Sequence, residues 1–245
     1  MTENTDKRPL RAFVAGATGF TGREVVRLLV EKGVETHAHV RPDSSRLEEW
    51  RVGFEGMGAK VDTTPWDEKK MSATISDLAP ECVFALLGTT RARMKKAANA
   101  GFDPLAQSYE AVDYGLTAML LRAAKTAGSD TRFIYLSASG TNPKSMSPYY
   151  KARSKAEKEI IDSGLPYSIA RPSIITGPDR DDNRPGERIG AVVADAMLGA
   201  AALFGARKLK ARYSSTTNAA LATALVEMAL DPGAQYKIFE SEELR

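Results

Sequence analysis

The 245-residue chain has one cysteine, Cys82, two histidines and two tryptophans. A single thiol excludes an intramolecular disulfide. His37 and His39, with no cysteine partner or spaced third ligand, make a poor metal site and read as strand packing, so no metal is expected. No apolar run reaches the roughly 20 residues that a membrane span needs. The longest, Ala191 to Ala206, is alanine-rich, is interrupted by Asp195 and reads as a packed helix. A net charge of +3, evenly spread, implies neither nucleic acid nor an anionic membrane as partner. No Pro/Gly/Ser-rich linker, low-complexity stretch or internal repeat divides the chain, so one domain over 1–245 is expected. Met1 to Arg8 is polar, unlike a secretory signal, and reads as a short disordered arm. Cys82 lies inside the apolar run Cys82-Val83-Phe84-Ala85-Leu86-Leu87 and reads as a buried small hydrophobe. The expected location is the cytoplasm.

The rest is ordinary globular composition, 43% hydrophobic and 27% charged, with strand and helix patterns in alternation. Apolar runs predict strands at Arg11–Ala15, Thr36–Val40, Ala59–Val61, Cys82–Leu87, Arg132–Leu136 and Tyr167–Ala170. Helical spacing fills the intervals at Arg23–Lys32, Met71–Leu78, Gln107–Ala127 and Tyr149–Ser163. Strands that are nearly continuous in apolar residues and separated by helices specify a parallel sheet covered on both faces. The fold class is therefore α/β, a doubly wound Rossmann-type parallel sheet. Residues 8–172 form a dinucleotide-binding core, and 173–245 form a small C-terminal substrate-side segment.

Between the first strand and the first helix stands Gly16-Ala17-Thr18-Gly19-Phe20-Thr21-Gly22. Glycines at i, i+3 and i+6 tighten the turn, clear side chains from a ligand's path and let the helix approach the sheet. A pyrophosphate then meets the helix N-terminus, where unpaired N–H groups and the positive dipole end favour an anion. Thr18 and Thr21 are placed to add hydroxyl donors. No Gly-Lys-Ser/Thr ending is present, which disfavours a nucleoside-triphosphate loop. An acidic residue usually holds the ribose hydroxyls of NAD about 20 residues further on. Arg41 stands there instead, with Ser44, Ser45 and Arg46 behind it, and an arginine suits the 2′-phosphate of NADP. The expected cofactor is therefore NADP(H). Asp67, after the third strand, is a candidate acceptor for the adenine amino group. Leu87, Gly88 and Thr89 close the fourth strand at the carboxyl edge, where ligands bind in such sheets.

With Val112-Asp113-Tyr114, Leu136-Ser137-Ala138-Ser139-Gly140, Arg171-Pro172 and Asn183-Arg184-Pro185-Gly186-Glu187, these motifs resemble the atypical short-chain dehydrogenase/reductases. Within them the chain is similar to the branch of Tat-interacting oxidoreductase-like proteins, over nearly its whole length. The resemblance implies a Ser, Tyr, Lys set in which the tyrosine passes a proton as hydride moves. A phenol of pKa about 10 needs a nearby cation to exchange protons at neutral pH, and a serine hydroxyl holds the same oxygen. Ser139 takes the serine place. The Tyr-x-x-x-Lys slot falls on Tyr149 to Arg153, with arginine where lysine is expected, and a shift of one or two residues pairs Tyr150 with Lys155 instead. Arginine keeps the charge that tunes a tyrosine but cannot relay a proton. The same resemblance puts Ser137, Arg153, Pro172, Ser173 and Ile174 along the nicotinamide end of the cleft.

Two roles stay open on the sequence. One is an NADP(H)-dependent oxidoreductase on a small organic carbonyl or alcohol. The other is an NADP(H)-binding protein of weak or no activity that acts through protein contacts. A homo-oligomer or protein partner fits either. The aspartates of Asp179–Arg184 alternate with cations and lack a calcium-loop pattern. The basic cluster Arg207–Arg212 reads as a solvated face or a steering patch.

Overall fold

The first strand, β1 (Arg11–Ala15), buries Ala12 and Val14 toward one helical layer and Phe13 and Ala15 toward the other. Burial on both faces is what a central parallel strand requires. A computed structural model describes residues 9–101, 103, 105–177 and 215–244. The expectations for 1–8, Asp179–Arg184, Asn183–Glu187, Ala191–Ala206 and Arg207–Arg212 lie outside the described residues.

After β1 come α1 (Phe20–Glu31), β2 (Glu35–His39), α2 (Leu47–Gly56), β3 (Lys60–Asp62), α3 (Glu68–Leu78), β4 (Cys82–Ala85) and α4 (Arg91–Asn99). Then follow α5 (Thr117–Ala127), β5 (Arg132–Leu136), α6 (Pro148–Asp162), β6 (Tyr167–Arg171) and β7 (Ile175–Thr176). The C-terminal part supplies β8 (Thr216–Thr217), α7 (Asn218–Leu230) and β9 (Lys237–Glu240). Seven strands form one sheet in the order β3-β2-β1-β4-β5-β6-β9, parallel at every pairing. Helices α1, α2 and α7 cover one face and α3, α5 and α6 the other. This is the doubly wound sheet that the alternation predicts. The order reverses between β1 and β4, and in open α/β sheets the binding crevice lies at such a switch, beyond the carboxyl ends of the strands.

The expected strands stand within two residues of the observed ones, but four elements carry no clear signal. In α2 only Phe54 is buried and in α4 nothing is, so neither has an apolar stripe. Helix α7 is apolar nearly all round, and β9 has only four residues. The span Gln107–Ala127 is not one α-helix: a 3₁₀ turn (Leu105–Gln107) and a π-helical turn (Glu110–Leu116) precede α5. Helix α7 is fastened by Arg132, whose Nη1 donates to the carbonyls of Met228, Ala229 and Asp231 at 2.8, 2.9 and 2.6 Å. Cys82 is buried, as its apolar run suggests, and burial pushes its thiol up to about 11. Among the described residues no helix is long and apolar enough to cross a membrane.

Candidate functional site

The glycines of the turn divide their work. Gly16 has φ +83°, and a Cβ there would fall 2.4 Å from the Leu86 carbonyl oxygen. At Gly22 a Cβ would lie 2.1 Å from the Gly16 oxygen and 2.9 Å from the Ala17 Cα. These two positions let the turn nest on the chain leaving β4 and let α1 nest on the turn. Gly19 differs, since its Cβ would meet only the Gly16 oxygen, at 3.1 Å. Gly19 is also the N-cap of α1, whose first turn has no side-chain cap and no acidic residue. The helix end thus keeps donors and a positive dipole for an anion. Thr18 is half-buried beside it and Thr21 is buried. Phe20 ties the turn to the C-terminal part: its carbonyl accepts from Asn218 Nδ2 at 3.0 Å, and its ring lies where a Cβ on Gly177 would be 2.6 Å away.

Arg153 joins the carboxyl ends of β4 and β5. From α6 it donates to the Leu136 carbonyl and, at 3.4 Å, to that of Leu87. Its Nη2 meets Asp113 Oδ1 at 2.9 Å, with both side chains almost wholly buried. Asp113, on the π-helical turn, also accepts from the Thr89 N–H at 3.0 Å. Gly88 is needed here because a Cβ would stand 2.9 Å from Arg153 Nη2. Sequence reasoning gives Asp113 no role of its own. Its signal was the Val112-Asp113-Tyr114 motif together with an arginine in the lysine slot, because a buried cation requires a counter-ion.

Tyr149 lies beneath the Arg153 guanidinium, 4.9 Å from ring centroid to Cζ, and edge-on to Tyr109 and Tyr150. Arg153 pulls the phenol's pKa down, but burial is the larger effect and the net direction is up. The expectation that Arg153 tunes Tyr149 toward neutrality is corrected accordingly: Asp113 opposes the cation and the phenol stays protonated. Lys155 is no substitute, since it pairs with Glu110 and sits 3.8 Å over the Tyr114 ring. Ser137 gives its hydroxyl to buried Glu157 at 2.5 Å, and Glu157 in turn takes two bonds from Arg171. Ser137 therefore serves the framework rather than offering a free hydroxyl. Ser139 is held by its N–H on the Pro172 carbonyl at 2.8 Å, while its Oγ is buried with no protein partner. Thr89 Oγ1 and Arg153 Nε share that condition. Buried polar atoms without partners are uncommon and call for a ligand or water. Ser173 donates its N–H to Ser241 Oγ at 3.2 Å, and Ile174 is partly exposed.

Contacts thus run along one rim from Gly16 and Leu86 through Leu87, Arg153 and Leu136 to Ser139 and Pro172. The other candidates lie toward β2 and β3. Arg41 is exposed and 3.5 Å from Asp43. Arg46 ends the connection beyond β2 as the N-cap residue of α2, and it engages Glu49. Asp67 caps α3, accepting from the Lys70 N–H at 3.0 Å, so its carboxylate already has a helix-capping role.

Residues 16–232 match a family of NAD(P)H-binding proteins, and the chain belongs to that family. It is an NAD(P)H-binding protein with a Rossmann-like α/β fold. "Protein FMP52, mitochondrial" of Debaryomyces hansenii is 30% identical over 169 residues, 69% of this chain and 68% of that one. A putative NAD-dependent epimerase/dehydratase of Bacillus halodurans has the same fold at a TM-score of 0.64 and 18% identity, covering 96% of this chain and 98% of its own. UDP-glucose 4-epimerase of Thermotoga maritima, solved with UDP-glucose, gives a TM-score of 0.64 at 21% identity, covering 94% and 76%. The expected cytoplasmic location is overturned: the relatives from D. hansenii, Candida albicans and Coccidioides immitis are named as mitochondrial proteins.

Proposed function

We propose that the protein is an NADP(H)-dependent reductase of a small organic carbonyl compound. The observation that carries this reading is Ser139 Oγ, buried without a protein partner on the rim that also holds Tyr149 and Arg153. The turn around Gly19 suits the pyrophosphate, and Arg41 and Arg46 are cations beyond β2, where the adenosine ribose lies in this fold. The bound nicotinamide supplies the hydride. Ser139 holds the carbonyl oxygen, and Tyr149 donates the proton that the oxygen needs as it becomes an alcohol. A phenol raised by burial is protonated at neutral pH and so holds the proton to be donated. Arg153, fixed by Asp113, keeps Tyr149 in place and offers Nε toward the site.

The test is NADPH oxidation by the purified protein against a panel of aldehydes and ketones. Tyr149→Phe is expected to lower turnover by about 10²–10⁴-fold, and turnover equal to wild type removes Tyr149 from the mechanism. A second reading is a cofactor-binding protein that acts through protein contacts. It is favoured by the burial of Tyr149, which outweighs the lowering effect of Arg153 while Asp113 opposes that cation. NADPH raising the melting temperature with no carbonyl turned over supports that reading. Efficient turnover of a physiological carbonyl excludes it.

A further inference from the structure

We propose that helix α4 selects the substrate: Arg91, Arg93, Lys95 and Lys96 make a cationic lip on the cleft, and the carbonyl compound that is reduced carries an anionic group, carboxylate or phosphate. The inference rests on the reductase reading above and names the substrate class of that same site.

The helix starts at the carboxyl edge of the sheet, where ligands bind in this kind of fold. Thr89, whose N–H is held by Asp113, leads into the N-cap Thr90 and then Arg91. Two residues of chain span at most roughly 7 Å, so the helix begins close to the Asp113–Arg153 pair. Thr89 Oγ1, buried without a protein partner, lies on that same approach, and such an atom calls for a ligand or water.

The charges of α4 stand where the helix alone disfavours them. It contains no acidic residue, and Arg91 and Arg93 lie in its first turn, at the positive end of its own dipole. Arg91 and Lys95 are one turn apart on one flank, a like-charge pair that weakens a helix. Burial does not offset this. No residue of α4 is buried, Met94 and Ala97 are only partly covered, and the main contact is with the 3₁₀ turn Leu105–Gln107. Counter-ions do not offset it either: among the described residues none of the four cations is in an ion pair, whereas Arg153 and Lys155 of α6 each hold a carboxylate. With Asp103 counted, residues 91–107 still carry +3, the net charge of the whole chain. An anion arriving at this edge relieves both the dipole and the like-charge pair. A cleft lined by charge of one sign speeds the arrival of the opposite charge by about 10–10³-fold, and salt removes the effect. A neutral carbonyl compound gains nothing from it.

The experiment measures kcat/KM of the full chain at saturating NADPH for two pairs that differ in charge, para-formylbenzoate and pyruvate, each with its methyl ester. The readout is the acid-to-ester ratio at about 0.01 M and about 1 M salt, where the Debye length is about 30 and 3 Å. In wild type the better pair is expected to give a ratio about tenfold higher at low salt than at high salt. Arg91→Gln with Lys95→Gln is expected to lower the low-salt ratio about threefold, and Gln at all four positions about tenfold. Arg91→Lys with Lys95→Arg keeps the charges and is expected to keep the ratio. Glutamine is as good a helix former as lysine or arginine, and a ratio taken on one sample does not depend on how much of it is folded. No turnover of any of the four compounds overturns the reductase reading and this inference together. Turnover with a wild type that prefers the esters at low salt, or with a ratio that the four substitutions leave unmoved, overturns this inference alone.

Discussion

Removing Asp113 tests whether the buried pair with Arg153 holds the site together. Asp113 is fully buried and Arg153 is 7% exposed, with 2.9 Å between them. In Asp113→Ala the guanidinium keeps only the Leu87 and Leu136 carbonyls, and the Thr89 N–H loses its acceptor. An unpaired buried charge costs about 3–5 kcal/mol. At about 2–4 °C per kcal/mol for a chain of this size, the midpoint falls by roughly 6–20 °C. Arg153→Met leaves Asp113 unpaired and is expected to cost a similar amount. The double variant leaves no buried charge, so its loss falls short of the sum of the two by more than about 1 kcal/mol. Urea unfolding of the four proteins measures this cycle. A single substitution costing under about 1 kcal/mol, or costs that add within about 0.5 kcal/mol, would refute the reasoning. The charge-neutral Asp113→Asn removes one of the influences that raise Tyr149, so the phenol should titrate lower by ultraviolet difference spectroscopy.

Two glycine substitutions separate folding from binding. Gly22→Ala places a methyl 2.1 Å from backbone oxygen and should destabilise by about 1–3 kcal/mol. Gly19→Ala, near one oxygen at 3.1 Å, should melt within a few degrees of wild type yet lose most of the stabilisation that NADPH confers. Burial holds His39 below its ordinary 6.5, while its bond to the Thr64 carbonyl and the charge of Asp62 oppose the shift. The unfolded imidazole then binds a proton at a pH where the folded one does not. Stability is complete above about pH 6.5 and falls as pH drops toward the folded value, by at most about 1.4 kcal/mol per unit. His39→Gln should flatten that part of the urea-midpoint profile against pH. Arg132→Met removes three bonds to the end of α7 and should cost about 2–3 kcal/mol by urea unfolding.

How much of this was legible in the sequence follows from what each residue interacts with. The glycine turn and the strands β1, β4, β5 and β6 announce themselves because backbone sterics and two-sided burial act on consecutive residues. Helix α7 and strand β9 do not, because their burial is decided by partners far along the chain, as when Arg132 reaches the carbonyls of Met228 and Ala229. The site shows the same limit. Tyr149 and Arg153 are readable from helical spacing, which places residues four apart on one face. The net direction of the phenol's shift is not, because burial decides it, with Asp113, forty positions from Arg153, opposing the cation. Read alone, arginine in a lysine slot suggests a cation available to the tyrosine. In the folded chain that cation still lowers the phenol, but burial outweighs it. Glu157 likewise takes the Ser137 hydroxyl from twenty residues away and so separates two serines that look alike in the sequence. Of that pair, Ser139 is the one whose buried hydroxyl has no protein partner.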